Sequence, residues 1–235
     1  SNKLYLNKGN LKFKDMTSVA KVDGESEWCN AASVVDINND GLEDIYVCTT
    51  IKKDPQQRRN LLYVNQGLNK DKIPVFKEMA AEYGLADTSL SVHAAFFDYD
   101  NDGDLDMYLV TTKLAQRASV SFNNNALYTS NSDVDKLFRN DWNDSLQHPV
   151  FTDISQQAGI THHGYGLGVA IADINNDGWK DIYVTNDFFG SDLLYINNHH
   201  GTFTEKLKEL GKHTSQNDMG NDNDELNNAG WPDSI

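Results

Sequence analysis

Three nonapeptides in this chain place oxygen donors at a spacing that suits a hard cation: DINNDGLED (36–44), DYDNDGDLD (98–106) and DINNDGWKD (173–181). Each has an acid or amide at positions 1, 3, 5 and 9 and a glycine at position 6, where the backbone must turn sharply. Calcium takes about six to eight oxygens at roughly 2.3–2.6 Å. The first loop offers Asp36, Asn38, Asp40, the Leu42 carbonyl and Asp44. The second offers Asp98, Asp100, Asp102, the Asp104 carbonyl and Asp106. The third offers Asp173, Asn175, Asp177, the Trp179 carbonyl and Asp181. Without a cation these carboxylates repel one another, so the spacing predicts three Ca2+ sites. Magnesium fits less well, because it keeps several of its waters. A fourth copy, ELNNAGWPD (225–233), has Glu225 at position 1 and Ala229 at position 5, and is expected to hold little or no metal.

The flanks decide what carries these loops. The first five positions resemble a helix-loop-helix calcium loop, which needs a bidentate Glu at position 12. Position 12 here is Val47, Leu109 or Val184, each in a short apolar run rich in β-branched and aromatic residues. A strand is expected on either side. A second pattern recurs between the loops, "LY/LF-x-N, turn, x-F-x-D/E", at 4–15, 61–78, 136–153 and 193–205. Each copy reads as a hairpin with Asn/Gly turn chemistry. A hairpin followed by a loop pair gives four short strands per repeat, over about 4–50, 61–112, 136–187 and 193–235. That is an all-β chain of about four propeller blades, since one such sheet cannot bury both its faces alone. A β-sandwich with regular loops is the alternative.

The run D-x-[ND]-x-D-G-x-x-D-[IM]-Y, with GYGLGVAIAD (164–173) before it and YVTNDF (183–188) after it, resembles the FG-GAP/VCBS repeats of β-propellers. The nearest likeness is to secreted or surface bacterial proteins that pair such repeats with UnbV/ASPIC modules; integrin α-subunit propellers and a fungal fruiting-body lectin are more distant. The resemblance spans about residues 4–235. It implies a propeller whose calcium loops join the first and second strands of each blade. Such propellers usually have about seven blades, so 1–235 reads as a four-bladed ring or, in slight preference, as part of a larger one. The resemblance implies no reaction, because the fold hosts adhesion, sugar binding and parts of lyases alike.

The formal net charge of -15 disfavours a nucleic-acid partner, and no apolar run is long enough to insert in a membrane. Two cysteines, Cys29 and Cys48, exclude a disulfide framework and a cysteine-based zinc site. No Gly-x-Ser-x-Gly elbow, HExxH helix or phosphate-cradling glycine loop is present. If the calcium loops lie on one face of the disc, the loops opposite gather the ligand candidates Trp28, His93, Tyr165, Asp187, Phe188 and Phe189. Trp28 and Tyr165 each stand eight residues before a loop and read equally as packing residues. The basic run Lys52, Lys53, Arg58 and Arg59 reads as an anion contact or a solvated loop. The expected function is a non-catalytic, extracellular, calcium-dependent binding or adhesion module for a polysaccharide or protein partner. A polysaccharide lyase or hydrolase and a purely structural scaffold are the alternatives. A secreted, periplasmic or cell-surface location follows, because such sites fill where calcium is plentiful.

Overall fold

The segments around the nonapeptides form strands because their β-branched and aromatic residues fit a half-buried pleated surface. A computed structural model describes residues 2–24, 28–52, 54–112, 134–187, 191–210, 220–221, 223–224 and 233–234. The hairpin β1 (Tyr5–Asn7) and β2 (Phe13–Asp15) runs into a one-turn helix, α1 (Thr17–Ala20). Three four-stranded sheets follow. The first is β3 (Cys29–Val35), β4 (Asp44–Thr49), β5 (Leu61–Leu68) and β6 (Pro74–Glu78). The second is β7 (Ser91–Phe97), β8 (Asp106–Thr111), β9 (Lys136–Asn143) and β10 (His148–Asp153). After α2 (Ser155–Ala158) comes the third, β11 (Gly166–Ala172), β12 (Asp181–Asn186), β13 (Leu193–Asn197) and β14 (Phe203–Glu205). A further helical turn, α3 (Leu207–Leu210), precedes the short pair β15 (Asn223–Asp224) and β16 (Asp233–Ser234).

Strand order follows chain order in every sheet, so each is an antiparallel meander of the type that builds a propeller blade. Each nonapeptide joins the first strand of its sheet to the second. Sequence repeat and sheet are out of phase by one hairpin: a sheet joins a loop-bearing hairpin to the outer hairpin that follows it. All three first strands carry a bulge at the same place, between Cys29 and Ala31, Ser91 and His93, and Gly166 and Gly168. The sequence shows no sign of it.

The chain divides into two compact units, Ser1–Ser89 with Asp141–Phe151, and Leu90–Asn140 with Thr152–Ile235. The first is centred on Ala20, Val22, Val47, Leu61, Tyr63 and Phe76. The second is centred on Tyr108, Leu137, Ile182, Val184, Tyr195 and Phe203. Burying one such aromatic or branched side chain is worth about 1.5–3 kcal/mol. In the second unit β11 packs against β7 and β8. A Cβ at Gly166 would collide with the Val110 side chain, so only glycine permits that approach. The β1–β2 hairpin has the outer-strand pattern with no inner strand beside it among the described residues. Its Tyr5 and Phe13 are 55% and 60% exposed, where their counterparts Tyr63 and Phe76 are 2% and 6% exposed.

The acid that ends each hairpin pattern caps the turn after it, supplying an acceptor to an amide that the turn leaves unpaired. Thr17 N donates to Asp15 at 2.9 Å, Ala80 N to Glu78 at 2.8 Å, Ser155 N to Asp153 at 3.0 Å and Leu207 N to Glu205 at 2.7 Å. The sheet ends opposite the nonapeptides share a second device. A buried Asx just before the third strand takes the amide that ends the second strand, and meets the hydroxyl of its tyrosine. Thr49 N donates to Asn60 at 2.8 Å and Asn60 Nδ2 to Tyr46 Oη at 2.9 Å. Thr111 N donates to Asp135 at 2.7 Å and Tyr108 Oη to Asp135 at 2.9 Å. Asn186 N donates to Asp192 at 2.8 Å and Tyr183 Oη to Asp192 at 3.0 Å. This clip fixes where the second and third strands of each sheet meet.

Candidate metal loops

Each nonapeptide folds around its own carboxylates. The position 1 Asp accepts two backbone amides, from positions 5 and 6: Asp40 and Gly41 on Asp36 at 3.0 and 2.8 Å, Asp102 and Gly103 on Asp98 at 3.2 and 3.0 Å, Asp177 and Gly178 on Asp173 at 2.9 and 2.7 Å. The glycine at position 6 has φ of +83°, +98° and +88° in turn, a region L side chains avoid. Position 4 is also left-handed, with Asn39, Asn101 and Asn176 at +56°, +59° and +60°. Asparagine tolerates that conformation best among non-glycine residues, which accounts for its presence in all three loops.

The position 9 Asp is the buried anchor. Asp44, Asp106 and Asp181 are at most 1% exposed. Oδ2 accepts the position 2 amide: Ile37 N at 3.2 Å, Tyr99 N at 3.2 Å and Ile174 N at 2.9 Å. Oδ1 accepts an amide from the third strand: Asn65 N at 2.7 Å, Asn140 N at 2.8 Å and Asn197 N at 2.8 Å. The same asparagines return their Nδ2 to the position 8 carbonyls Glu43, Leu105 and Lys180, at 3.1, 3.1 and 3.2 Å. The "LY/LF-x-N" signature therefore carries half of the loop's anchorage, a role its sequence position alone did not reveal.

The loops differ at position 3. In the first and third, Asn38 and Asn175 donate Nδ2 to Asp40 and Asp177 at 3.0 and 2.6 Å. The second has Asp100, which has no amide to donate. There Asp98, Asp100 and Asp106 bring carboxylate oxygens within 4.8 Å of one another. Asp100 Oδ1 and Asp104 Oδ1 are buried with no hydrogen-bond partner. Burial, with Asp102 and the other loop charges adding, pushes the Asp104 carboxyl up to about 7. Burial pushes Asp106 up to about 8, against the two amides that favour its anion. Burial likewise raises Asp100, Asp181 and, to about 6, Asp44. Asp104, expected to offer only its carbonyl, also holds its carboxyl near enough to Asp102, Asp100 and Asp98 to feel their charge. Such a donor set is incomplete by itself and fits a divalent cation.

The third loop is covered by a residue the sequence did not single out. His199, from the β13–β14 turn, places Nε2 2.7 Å from Asp177 Oδ2 and stacks on Trp179 at 5.0 Å between ring centroids. Partial burial pushes the Asp177 carboxyl upward, but hydrogen bonds from His199, the Trp179 amide and Asn175 outweigh it and hold the group below its ordinary value.

The ligand candidates are placed as follows. Trp28 is 59% exposed, so it is not a core residue of its unit, and its carbonyl accepts Thr50 N at 3.0 Å. Tyr165 does the same for Asp187 N at 3.0 Å, which brings those two candidates together. His93 lies on β7 just past the bulge, where burial lowers its pKa. Phe188, Phe189, Lys53 and most of the fourth nonapeptide copy lie outside the described residues. Arg58 is used internally, donating Nε to Thr88 O at 2.7 Å and a terminal nitrogen to Lys52 O at 2.8 Å. Arg59 pairs with Glu78 at 3.4 Å.

Residues 1–47 match the model of an FG-GAP-like repeat. That stretch holds the β1–β2 hairpin, α1, β3, the whole first nonapeptide and the start of β4. No curated protein matches the chain. The second and third loops are tied to the matched repeat by their shared hydrogen-bond pattern.

Proposed function

We propose that this chain is a calcium-stiffened β-propeller, whole or in part, that works outside the cytosol as a non-catalytic binding or adhesion module for a polysaccharide or a protein. The observation that carries the calcium reading is the second loop, whose crowded carboxylates leave Asp100 Oδ1 and Asp104 Oδ1 buried and unpartnered. Asp98, Asp100, Asp102, Asp104 and Asp106 would hold the ion there. Asp36, Asn38, Asp40, Leu42 and Asp44 would hold it in the first loop, and Asp173, Asn175, Asp177, Trp179 and Asp181 in the third. The ion supplies positive charge that offsets the repulsion and stiffens the loop; it carries out no reaction. The meander sheets and the FG-GAP-like match support the propeller. Thermal melting in calcium and in EDTA tests the metal. At a hundredfold excess over Kd each filled site adds about 2.7 kcal/mol, and an unchanged melting temperature refutes it. A glycan array and a protein pull-down, each with and without EDTA, test the binding role.

A further inference from the structure

The first loop differs from the third in what covers it. In the third repeat the residue two places after the strand-three asparagine is His199, whose amide donates to Asn197 Oδ1 at 2.9 Å. Its ring lies over positions 5 and 7 of the loop, Asp177 and Trp179. The same place in the first repeat is Gly67, whose amide donates to Asn65 Oδ1 at 3.0 Å. Both residues are left-handed, at φ of +84° for Gly67 and +67° for His199. A Cβ at Gly67 would meet nothing within 4 Å. The first loop is therefore left open where the third is closed by the protein's own side chain.

The opening is a groove of about 430 Å³ in the first unit, within the usual range of small-molecule sites. Asn38, Asp40 and Leu42, positions 3, 5 and 7 of the loop, line it. Asn65, Gln66, Lys77, Gln147 and His148 line it as well. His148 stacks on the buried Tyr83 ring, with centroids 4.4 Å apart and planes 9° from parallel, so the imidazole is held as a rigid wall. Lys77 reaches Glu82 at 3.3 Å, but both side chains are about half exposed. An exposed pair of that kind is worth little and yields readily to another anion.

We propose that this groove binds a carboxylate-bearing sugar, which completes the coordination of a calcium ion held by the first loop. The proposal rests on the calcium reading above and adds the ligand class. Five loop donors, each giving one oxygen, leave a calcium ion about one to three places short of its usual number, and three of the residues that would supply them line the groove. A carboxylate suits the ion and Lys77. Ring hydroxyls suit the amides, which both donate and accept, and an imidazole face suits the apolar face of a sugar ring. An acidic peptide matches the charge but offers the imidazole no apolar ring face. The net charge of -15 repels any anion, so binding must depend on the cation.

Calorimetric titration of the whole chain with a short oligogalacturonate, in calcium and in EDTA, tests this. Binding is expected in calcium only, with a neutral galactose oligomer and polyglutamate each weaker by roughly tenfold or more. Gly67→His, which copies the third repeat, and His148→Ala should each weaken it by at least about as much, with far-UV circular dichroism showing both variants folded. Binding retained in EDTA, or undiminished in both folded variants, overturns the proposal; polyglutamate bound as tightly as the sugar also does so. No binding despite a calcium-dependent rise in melting temperature overturns the groove alone. No such rise overturns the calcium reading, and this proposal with it.

Discussion

Asp100 differs from Asn38 and Asn175 by a single amide, and that difference sets how far each loop can satisfy itself. In the first and third loops the position 3 amide donates a hydrogen bond to the position 5 acid; in the second Asp100 has no such donor, and two oxygens stay unpartnered. Asp100→Asn should therefore raise the melting temperature in EDTA and shrink the gain from calcium. Melting curves in both buffers check this, and a lower value in EDTA would count against it. Asp135 is a second informative residue. Burial pushes its carboxyl up to about 6, despite hydrogen bonds from Thr111 and Tyr108. The folded state thus holds its proton more tightly than the unfolded chain does, so this group's contribution to stability is fully present below about pH 4 and is lost as pH rises through about 6. That loss is on the order of 3 kcal/mol. Asn60 shows that an amide fits the same clip, so Asp135→Asn should lessen the fall of stability between about pH 4 and 6, as urea unfolding of both proteins at several pH values would show.

At the scale of elements, the turns and crossings follow from a few residues whose reasons differ. Gly84 and Gly159 are both left-handed, at φ of +76° and +82°. A Cβ at Gly84 would clash with the Phe151 carbonyl, and one at Gly159 would lie 2.8 Å from the Phe203 carbonyl. Gly84→Ala should cost about 2–4 kcal/mol, strain and clash combined. Gly41→Ala, at φ of +83° with open space around it, should cost only about 1 kcal/mol. Chemical denaturation of the two variants separates these cases. Much of this level was legible. The nonapeptides fell between strands as their flanks implied, and the hairpin pattern marked every outer pair, because apolar alternation and Asn/Gly turns are local signals. The bulges, the Asx–tyrosine clips and the return bonds from Asn65, Asn140 and Asn197 were not. They pair residues from different strands, and the sequence shows the types without the register. His199 was missed for the same reason: it acts through a partner that only the fold brings near.

For the molecule as a whole, the three loops should respond to calcium in order of their unsatisfied charge. The second should contribute the largest share of the stabilisation, and Asp98→Ala should remove more of the calcium-dependent shift than Asp173→Ala. Scanning calorimetry with a calcium titration measures both. The exposed Tyr5 and Phe13 of the β1–β2 hairpin lie on a strand pair with no further strand beside it among the described residues, an arrangement prone to association. Tyr5→Ser with Phe13→Ser should reduce concentration-dependent association in sedimentation velocity and leave the calcium shift unchanged. The pinning of each hairpin at both ends has a wider consequence. The buried ninth aspartate holds one end of the second strand and the Asx–tyrosine clip holds the other, and neither depends on the exposed donors at positions 3 and 5. A repeat can therefore lose its metal through substitution and still keep its strand pairing. The exposed donors are thus free to vary from repeat to repeat, as Glu225 and Ala229 at positions 1 and 5 of the fourth copy do.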